Sequence, residues 1–315
     1  MSSEADRPPR ILVVGSINMD LVVRSARLPA PGETLTGRSL QETPGGKGAN
    51  QAVAAARLGA QVSMIGRLGE DGFGRVLRQN LAAEGITLEH VLPTAECSSG
   101  VAIIGVEDSG QNCITVIPAA NGRLTPDDIE AHQSAFTNID LLMLQLEVPL
   151  DTVLTAQQLA RERSIPILLD PAPAVADFPA ELLHVDYLCP NESEAALLTG
   201  RTVETIDDAE QAALTLKSQG ANVVIVTLGD RGVVCCTAGQ TNHVAPTAVS
   251  VVDTTAAGDA FAAALAVQVA AGTSIKDAVR FACAAGALAA SREGAQPAMP
   301  SLADVQQLAN RSGNA

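Results

Sequence analysis

Short runs of β-branched and aliphatic residues alternate with longer Ala- and Leu-rich stretches through most of the chain. Residues 11–14 predict a buried strand, 48–58 a helix that ends at Gly59, and 61–66 the next strand. The same rhythm predicts further strands at 140–146, 165–169, 186–189 and 222–228, and helices at 150–163, 192–199 and 207–219. Strands that alternate with helices are typical of a parallel sheet covered by helices. The pattern therefore predicts an α/β fold with a central, mostly parallel sheet.

Two segments, about 19–43 and 99–117, interrupt this rhythm. In the second segment, two apolar runs flank Asp108-Ser109-Gly110, which predicts a β-hairpin. We expect the two segments to pair into a small sheet, a lid over the carboxyl ends of the main strands, where open α/β sheets bind ligands. No repeat or linker separates autonomous parts, so we expect residues 1–315 to form a single domain that carries this lid.

The charge balance narrows the possible partners. The chain has 20 Lys and Arg against 35 Asp and Glu, a formal net charge of −15, and only 2% of its residues are aromatic. Binding to nucleic acid needs clustered basic residues and benefits from aromatic stacking, so nucleic acid and anionic membrane surfaces are not expected as partners. The longest apolar stretch, 260–271, is shorter than the ~20 residues that span a bilayer.

The six cysteines show no C-x-x-C spacing, which favours reduced thiols over disulfides or a zinc site. The first ten residues are polar and contain no apolar core of the kind that a secretory signal needs. A cytoplasmic location is therefore the expectation.

Two common phosphate-binding motifs are excluded. After the first predicted strand, Gly15-Ser16-Ile17-Asn18-Met19-Asp20 lacks the second and third glycines of G-x-G-x-x-G. A P-loop requires Ser or Thr after its Gly-Lys, but Gly48 follows Gly46-Lys47. Neither a dinucleotide fold nor a P-loop is supported.

The segment 252–261 has the strongest chemical signal, because it joins a β-rich run to an Ala-rich helix. Small residues at Ala256, Ala257 and Gly258 would leave the first N–H groups of that helix bare for an anion. Asp259 would then lie beside the anion and could accept a proton from an attacking hydroxyl. The alternative is that Asp259 only complements the helix dipole.

Two further polar groups could bind a hydroxylated ligand. Gly46 and Gly48 permit close backbone approach at another helix start, and Lys47 and Asn50 supply donors. The alternative is a glycine turn with a solvated Lys47. Asn18 and Asp20 follow the first strand, and alone they would indicate a turn.

Together these motifs, in their order along about 11–300, resemble the ribokinase-like family of sugar and nucleoside kinases. The motifs that carry the resemblance are Gly15-Ser16-Ile17-Asn18-x-Asp20, Pro31-Gly32-Glu33-Thr34, Gly45-Gly46-Lys47-Gly48-Ala49-Asn50-Gln51, Gln145-Leu146-Glu147, Pro171-Ala172-Pro173-Ala174, Asn191-Glu192-x-Glu194, Thr227-Leu228-Gly229-x-x-Gly232, Asp253-Thr254-x-Ala256-Ala257-Gly258-Asp259 and Gly294-Ala295-Gln296-Pro297. The resemblance implies a phosphotransferase that uses ATP to phosphorylate D-ribose at its 5-hydroxyl, with Asp259 as the general base and the N–H groups of 256–258 as an anion hole.

The resemblance also implies a central, mostly parallel sheet with helices on both faces, a small β-sheet lid, and further site residues. Those expected to hold the sugar are Asn18, Asp20, Gly46, Lys47, Gly48, Asn50, Glu147 and Asp259. Those expected to contact ATP, its Mg²⁺ or the adenine ring are Asn191, Glu194, Thr227, Gly229, Gly232, Gly258 and Cys283. Those expected around an activating K⁺ are Asp253, Thr255, Ala289, Arg292 and Gly294. Ala298 stands where some relatives offer a Ser hydroxyl near this cation.

The family commonly forms homodimers through the lid, so a homodimer is expected here. Two alternatives stay open at this point. A sister kinase of the same fold would act on deoxyribose, a nucleoside or another sugar. A non-catalytic sugar-binding regulator would keep the scaffold without turnover.

Overall fold

Thirteen strands and nine α-helices alternate along residues 7–312, the part of the chain that the computed structural model describes. The strands are β1 (Arg10–Val14), β2 (Asn18–Ser25), β3 (Ser39–Gly45), β4 (Gln61–Gly69), β5 (Val91–Thr94), β6 (Gly100–Glu107), β7 (Asn112–Ile117), β8 (Leu141–Leu144), β9 (Ile167–Leu169), β10 (Tyr187–Leu188), β11 (Val223–Thr227), β12 (Val233–Thr237) and β13 (Gln240–Val244). The helices are α1 (Lys47–Arg57), α2 (Gly72–Ala83), α3 (Pro126–Ala131), α4 (Leu150–Glu162), α5 (Glu192–Thr199), α6 (Ile206–Ser218), α7 (Ala257–Ala270), α8 (Ile275–Ala290) and α9 (Leu302–Ser312).

Nine strands form the main sheet in the order β13-β12-β11-β10-β9-β8-β1-β4-β5. From β11 to β5 all neighbours are parallel, while β12 and β13 add an antiparallel edge. β1 lies in the interior of the sheet, third from one edge, where Val14 pairs with Ile65 on one side and Leu144 on the other. The predicted central, mostly parallel sheet is confirmed.

Helices pack on both faces of this sheet, as predicted. Alternation along β1 sends Ile11 and Val13 into one apolar core with α1, α7 and α8, and Leu12 and Val14 into the other with α4 and α6. A strand buried on both faces needs an unbroken apolar run, which β1 has. No helix within residues 7–312 is long and apolar enough to cross a membrane.

Four strands form a second sheet in the order β3-β2-β6-β7. β6 and β7 form the predicted hairpin, and β2 pairs with β6 in parallel and with β3 in the antiparallel direction. Only residues 15–17 separate β1 from β2, so this sheet starts directly at the carboxyl end of the main sheet. Alternation along β2 places Asn18, Asp20, Val22 and Arg24 on one face. We refer to this four-stranded sheet as the lid sheet.

Candidate active site

Chemically active side chains collect where the parallel strands of the main sheet end. Ser16 follows β1, Glu147 follows β8, Asp170 follows β9, and Asn191 follows β10. Thr227 ends β11 and forms a bridge with Asn191. Open α/β sheets bind ligands at this edge, because the carboxyl ends of neighbouring parallel strands meet there.

The start of α1 lies against the backbone that follows β1. Gly46 has φ +88°, and a Cβ at this position would lie 2.7 Å from the Asn18 nitrogen. A Cβ at Gly48 would lie 2.6 Å from the Ser16 nitrogen, so only glycine permits this approach. The backbone N–H of Lys47 donates to Glu147 Oε2 over 3.1 Å, and the Ser16 hydroxyl donates to the same carboxylate. The glycines therefore bring Lys47 and Glu147 together.

Asp259 lies in the first turn of α7 and is only 4% exposed. Its Oδ2 accepts from Asn50 Nδ2 over 2.9 Å, and its Oδ1 accepts from Gln51 Nε2 over 3.1 Å. Asn50 Oδ1 is buried without a partner among the described residues. A buried acceptor without a donor costs free energy, so Asn50 Oδ1 fits a ligand hydroxyl that donates to it.

The lid sheet contributes Asn18 and Asp20, which are 2% and 8% exposed. Asn18 Oδ1 accepts from Asn121 Nδ2 over 2.7 Å, and Asn121 also binds both backbone groups of Ile17. A Cβ at Gly45 would lie 2.1 Å from Asp20 Oδ2, so this glycine makes room for the carboxylate. Asn18 and Asp20 are therefore buried on β2, rather than exposed in a turn.

The site is strongly acidic. Among the charged groups that shift the pKa values of its carboxyl groups, Lys47 is the one cation. Burial, reinforced by Glu147 and Asp259, raises the pKa of Asp20 to about 7. Burial also raises the pKa of Asp170 and of Glu194 above the usual range. For Lys47, burial alone would lower the pKa, but the surrounding carboxylates outweigh it and raise the pKa above its usual value.

The N-terminus of α7 begins at Ala256, which has left-handed backbone angles (φ 57°, ψ 13°) and offers no side-chain cap. The Ala257 N–H donates to the Thr254 carbonyl over 3.2 Å. The N–H groups of Ala256, Gly258 and Asp259 have no acceptor within the described residues. A Cβ at Gly258 would meet nothing within 4 Å, so there is open space beside this residue. This is the geometry that an anion site at a helix N-terminus needs.

The residues predicted to contact the nucleotide lie along the next strand ends. Asn191 caps α5 in a capping box, in which it accepts from the Glu194 N–H over 2.9 Å and its own N–H donates to Glu194 Oε2 over 2.8 Å. Gly232 closes the turn after β11, where a Cβ would lie 2.1 Å from the Val244 carbonyl oxygen. Gly229, with φ +57°, faces open space.

Cys283 lies on α8, three residues before Gly286, and burial raises its pKa to about 12, so it stays a thiol. A Cβ at Gly286 would lie 3.1 Å from the Ala257 carbonyl oxygen, so this glycine lets α8 approach the start of α7. Cys283 therefore lies about one helical turn from the point where α8 approaches the start of α7.

Two of the residues predicted for K⁺, Thr255 and Gly294, bind the Asp253 carboxylate. Its Oδ1 accepts from the Thr255 N–H and hydroxyl over 2.9 and 2.6 Å, and its Oδ2 accepts from the Gly294 N–H over 2.9 Å. Burial opposes the charged form, but these hydrogen bonds outweigh it and lower the pKa of Asp253. The Arg292 side chain pairs instead with Asp304 on α9 over 3.0 Å, so only its backbone can face a cation.

Five buried residues of this site were not predicted as site residues from the sequence: Ser16, which stands inside a quoted motif, Gln51, Asn121, Gln145 and Asp170. Gln51 and Gln145 stand inside the quoted motifs, and Asp170 directly precedes another, so their positions carried a signal. Asn121 lies in a short 3₁₀ helix at Ala119–Arg123, and the sequence around it gives no such sign.

Comparisons with known proteins show similarity over nearly the whole chain. Residues 8–302 match the family described as "pfkB family carbohydrate kinase". A ribokinase from Bacillus subtilis is 41% identical over 299 residues, which cover 95% of this chain and 98% of the relative. A deoxyribokinase from Salmonella typhimurium is 37% identical over 293 residues and is covered to 96%.

Two more comparisons concern length and structure. A bifunctional ribokinase/ribose-5-phosphate isomerase A from Fructilactobacillus sanfranciscensis is 39% identical over 96% of this chain, but the chain spans only 56% of that protein's length. The structure of Arabidopsis thaliana ribokinase complexed with ribose and ATP superimposes with a TM-score of 0.89 at 34% identity, covering 96% of this chain and 99% of that one. With a family match over nearly the whole chain and relatives this similar, the chain belongs to the pfkB family of carbohydrate kinases.

Proposed function

We propose that the chain transfers the γ-phosphoryl group of ATP to the 5-hydroxyl of D-ribose. The observation that carries this proposal is Asp259, a buried carboxylate held by Asn50 and Gln51 beside the bare N–H groups of α7. A base and an anion site in one helical turn suit transfer of a phosphoryl group to a hydroxyl. The names of the relatives, ribokinases among them, support ribose as the acceptor.

In the proposed reaction, five side chains bind the sugar hydroxyls and orient the 5-hydroxyl toward Asp259: those of Asn18, Asp20, Lys47, Asn50 and Glu147. Asp259 accepts the proton of this hydroxyl as its oxygen attacks the γ-phosphorus in line. The N–H groups of Ala256, Ala257 and Gly258 stabilise the negative charge on the transferring group, for which Ala257 gives up its bond to Thr254.

ATP and Mg²⁺ fit the acidic character of the site. The carboxyl groups near Lys47 interact electrostatically with one another, and they belong to Asp20, Glu147, Asp170, Glu194 and Asp259. The negatively charged polyphosphate therefore needs a divalent cation to offset its repulsion by these groups. When bound, Mg²⁺ supplies charge neutralisation at the phosphate oxygens. We propose that Glu194, which is buried next to Asn191, faces the Mg²⁺ ion. We propose that the turn 227–232 and Cys283 face the nucleotide.

Ribose as the substrate can be tested with purified protein in a coupled assay of ADP formation. We expect ADP production that depends on D-ribose, with kcat/KM at least about 10-fold above that for 2-deoxy-D-ribose, fructose or adenosine. The physical reason is that a sugar without one hydroxyl leaves buried polar groups such as Asn50 Oδ1 without a partner. A missing sugar-dependent signal would instead support a non-catalytic sugar-binding protein.

The second candidate function is phosphorylation of deoxyribose, which the deoxyribokinase relatives favour. Equal or higher kcat/KM for 2-deoxy-D-ribose in the same assay would establish it in place of the ribose reaction. The roles of Asp259 and the α7 N-terminus would be unchanged, because the 5-hydroxyl is common to both sugars.

A monovalent cation is proposed between residues 253–255 and residues 289–294, which form the end of α8 and the loop after it. The Asp253 carboxylate already joins the start of α7 to Gly294, so a cation bound to nearby carbonyl oxygens would hold the anion site in shape. We expect that replacing K⁺ by Na⁺ lowers kcat several-fold, because the smaller ion draws the carbonyl oxygens around it closer together and so changes the shape of the anion site. Equal rates in K⁺, Na⁺ and tetramethylammonium would contradict the site.

The lid sheet is proposed to close over the sugar and to join two subunits. Ile114 and Val116 on β7 are 56% and 44% exposed, and their register places them on the same face as Asp20. Apolar side chains exposed beside a binding site are typical of an interaction surface, which supports a homodimer through the lid sheet. All six cysteines are free thiols, which supports the proposed cytoplasmic location.

A further inference from the structure

Gln51, on α1, is fully buried and contacts two carboxylates at once. Its Nε2 donates to Asp170 Oδ2 over 2.8 Å and to Asp259 Oδ1 over 3.1 Å. Asp170 is 119 residues away along the chain and Asp259 is 208 residues away, so the bridge joins three distant parts of the sequence. In the proposed reaction, neither Gln51 nor Asp170 contacts a substrate.

The orientation of the Gln51 amide follows from its neighbours. A carboxylate that acts as a base is ionised and only accepts hydrogen bonds, so the NH₂ group of Gln51 must face Asp259, and from there it also reaches Asp170. The Gln51 carbonyl oxygen then faces Gln145, whose Nε2 donates to it over 2.5 Å. Gln145 in turn lies over Gly15, where a Cβ would be 2.1 Å from Gln145 Oε1. Both N–H groups and the carbonyl of the Gln51 amide are therefore engaged.

Asp259 depends on such contacts for its own orientation. The terminal torsion of an aspartate has a broad, two-fold preference, so the side chain alone does not fix the plane of its carboxylate. Here Asn50 holds Oδ2 and Gln51 holds Oδ1, from consecutive positions of α1. If one of these donors is lost, the carboxylate is free to turn about its Cβ–Cγ bond.

We propose that Gln51 is a positioning residue for phosphoryl transfer, held in place by Asp170 and Gln145 and setting the plane of the Asp259 carboxylate. This inference rests on the proposed role of Asp259 as the base. Gln51 does not need to touch the substrate, because its effect passes through Asp259. Removing it should therefore slow the chemical step more than it weakens the binding of ribose.

Gln51→Met removes both donors and keeps a side chain of similar length. We expect kcat to fall about 10–100-fold, since small misplacement of a reacting group can cost ~100-fold, while the Kd for ribose stays within about 3-fold. Steady-state kinetics with ribose and ATP measures the first quantity, and calorimetric titration of ribose measures the second.

Gln51→Glu gives a second readout, which a merely structural role would not move. Ionised, the introduced carboxyl has no donor for Asp259, whereas in its protonated form it has one. Burial beside two carboxylates favours the protonated form as pH falls. We expect kcat of this variant, relative to wild type, to rise as pH falls from 8 to 6.

Gln157→Met is the matched control. Gln157 lies on α4, is 3% exposed, and donates from Nε2 to the carbonyls of Glu181 and His184, each over 3.0 Å. This substitution also removes two bonds of a buried glutamine, but away from the strand ends that form the site. We expect it to lower the free energy of unfolding in urea while kcat and its pH dependence stay as in wild type.

Three outcomes would overturn the inference: Gln51→Met with kcat within 2-fold of wild type, Gln157→Met with an equal loss of kcat, or Gln51→Glu with a pH profile parallel to wild type. If Gln51→Met does not fold, Gln51→Glu decides alone. Asp259→Asn, measured in parallel, distinguishes a failure of the base assignment from a failure of the role proposed for Gln51. Turnover retained in Asp259→Asn overturns the base assignment and this inference with it, whereas an inactive Asp259→Asn beside a fully active Gln51→Met overturns only the role of Gln51.

Discussion

Asp259→Asn is expected to lower kcat for ribose phosphorylation by about 10²–10⁴-fold, the range that general base catalysis contributes. The Kd for ribose should stay within a few-fold. Asn has nearly the same shape and keeps one of the two acceptors that face Asn50 and Gln51, but its NH₂ group replaces the other acceptor, and its amide cannot take up the proton of the 5-hydroxyl. Steady-state kinetics and calorimetric titration of ribose test the two expectations.

Asp277→Asn provides the control for this prediction. Asp277 also lies in the first turn of its helix, α8, and accepts a hydrogen bond from the hydroxyl of the N-cap residue Ser274, but its side chain is exposed. A carboxylate at either position interacts favourably with the helix dipole, worth about 0.3–1 kcal/mol. If Asp259 did no more than this, the two variants would behave alike. Near-normal turnover of Asp259→Asn would therefore contradict the base assignment.

Asp20→Asn is expected to weaken ribose binding by about 100-fold and, at the same time, to stabilise the protein without ribose. A buried charged acceptor of a hydroxyl hydrogen bond contributes on the order of 1.5–3 kcal/mol to binding, which accounts for the loss of affinity. The gain in stability follows from burial beside Glu147 and Asp259, which raises the pKa of Asp20 to about 7.

The sign of this pH effect is fixed by proton uptake. Between the unfolded pKa of 3.8 and the folded pKa of about 7, the native state binds more protons at Asp20 than the unfolded state does. The contribution of Asp20 to stability therefore falls as pH rises through this window. We expect Asp20→Asn to raise the free energy of unfolding by about 1–3 kcal/mol at pH 8, and by much less near pH 4.

Urea denaturation at pH 4 and 8 checks this prediction, with Asp128→Asn as the contrasting control. Asp128 lies outside the site, and the ion pair with Arg67 and bonds from Thr125 outweigh burial and lower its pKa. Its replacement should therefore destabilise the protein at pH 8. An Asp20→Asn variant that is less stable than wild type at pH 8 would contradict the raised pKa of Asp20.

Local sequence patterns predicted most of the fold. Unbroken apolar runs mark strands buried on both faces, and the helix predicted over 48–58 spans Lys47–Arg57. Such signals depend on neighbours within a few residues, so they can be read along the chain. The bounds of the strands were less accurate, because strand ends depend on pairing partners: the strand predicted over 140–146 spans only Leu141–Leu144.

The candidate site was predicted in part, and largely through motifs. Glycine positions, Lys47 and Asp259 stand out in the sequence, because glycines at a helix start permit close backbone approach and small residues before an acid leave helix N–H groups bare. Asn121 could not be predicted, because its contact with Asn18 spans 103 residues. The spacing along the chain does not tell which strand ends become neighbours.

The sequence by itself determined an α/β fold, a second small sheet, and the residue types of a sugar kinase site. Only the tertiary structure decided how those residues act on one another. It placed the Gln51 amide between Asp170 and Asp259, and it buried Asp20 beside Glu147 so that its pKa rises toward neutrality. The physical reason is that hydrogen-bond geometry and desolvation depend on distances in space, which the order of strands in the sheet sets and which sequence separation does not contain.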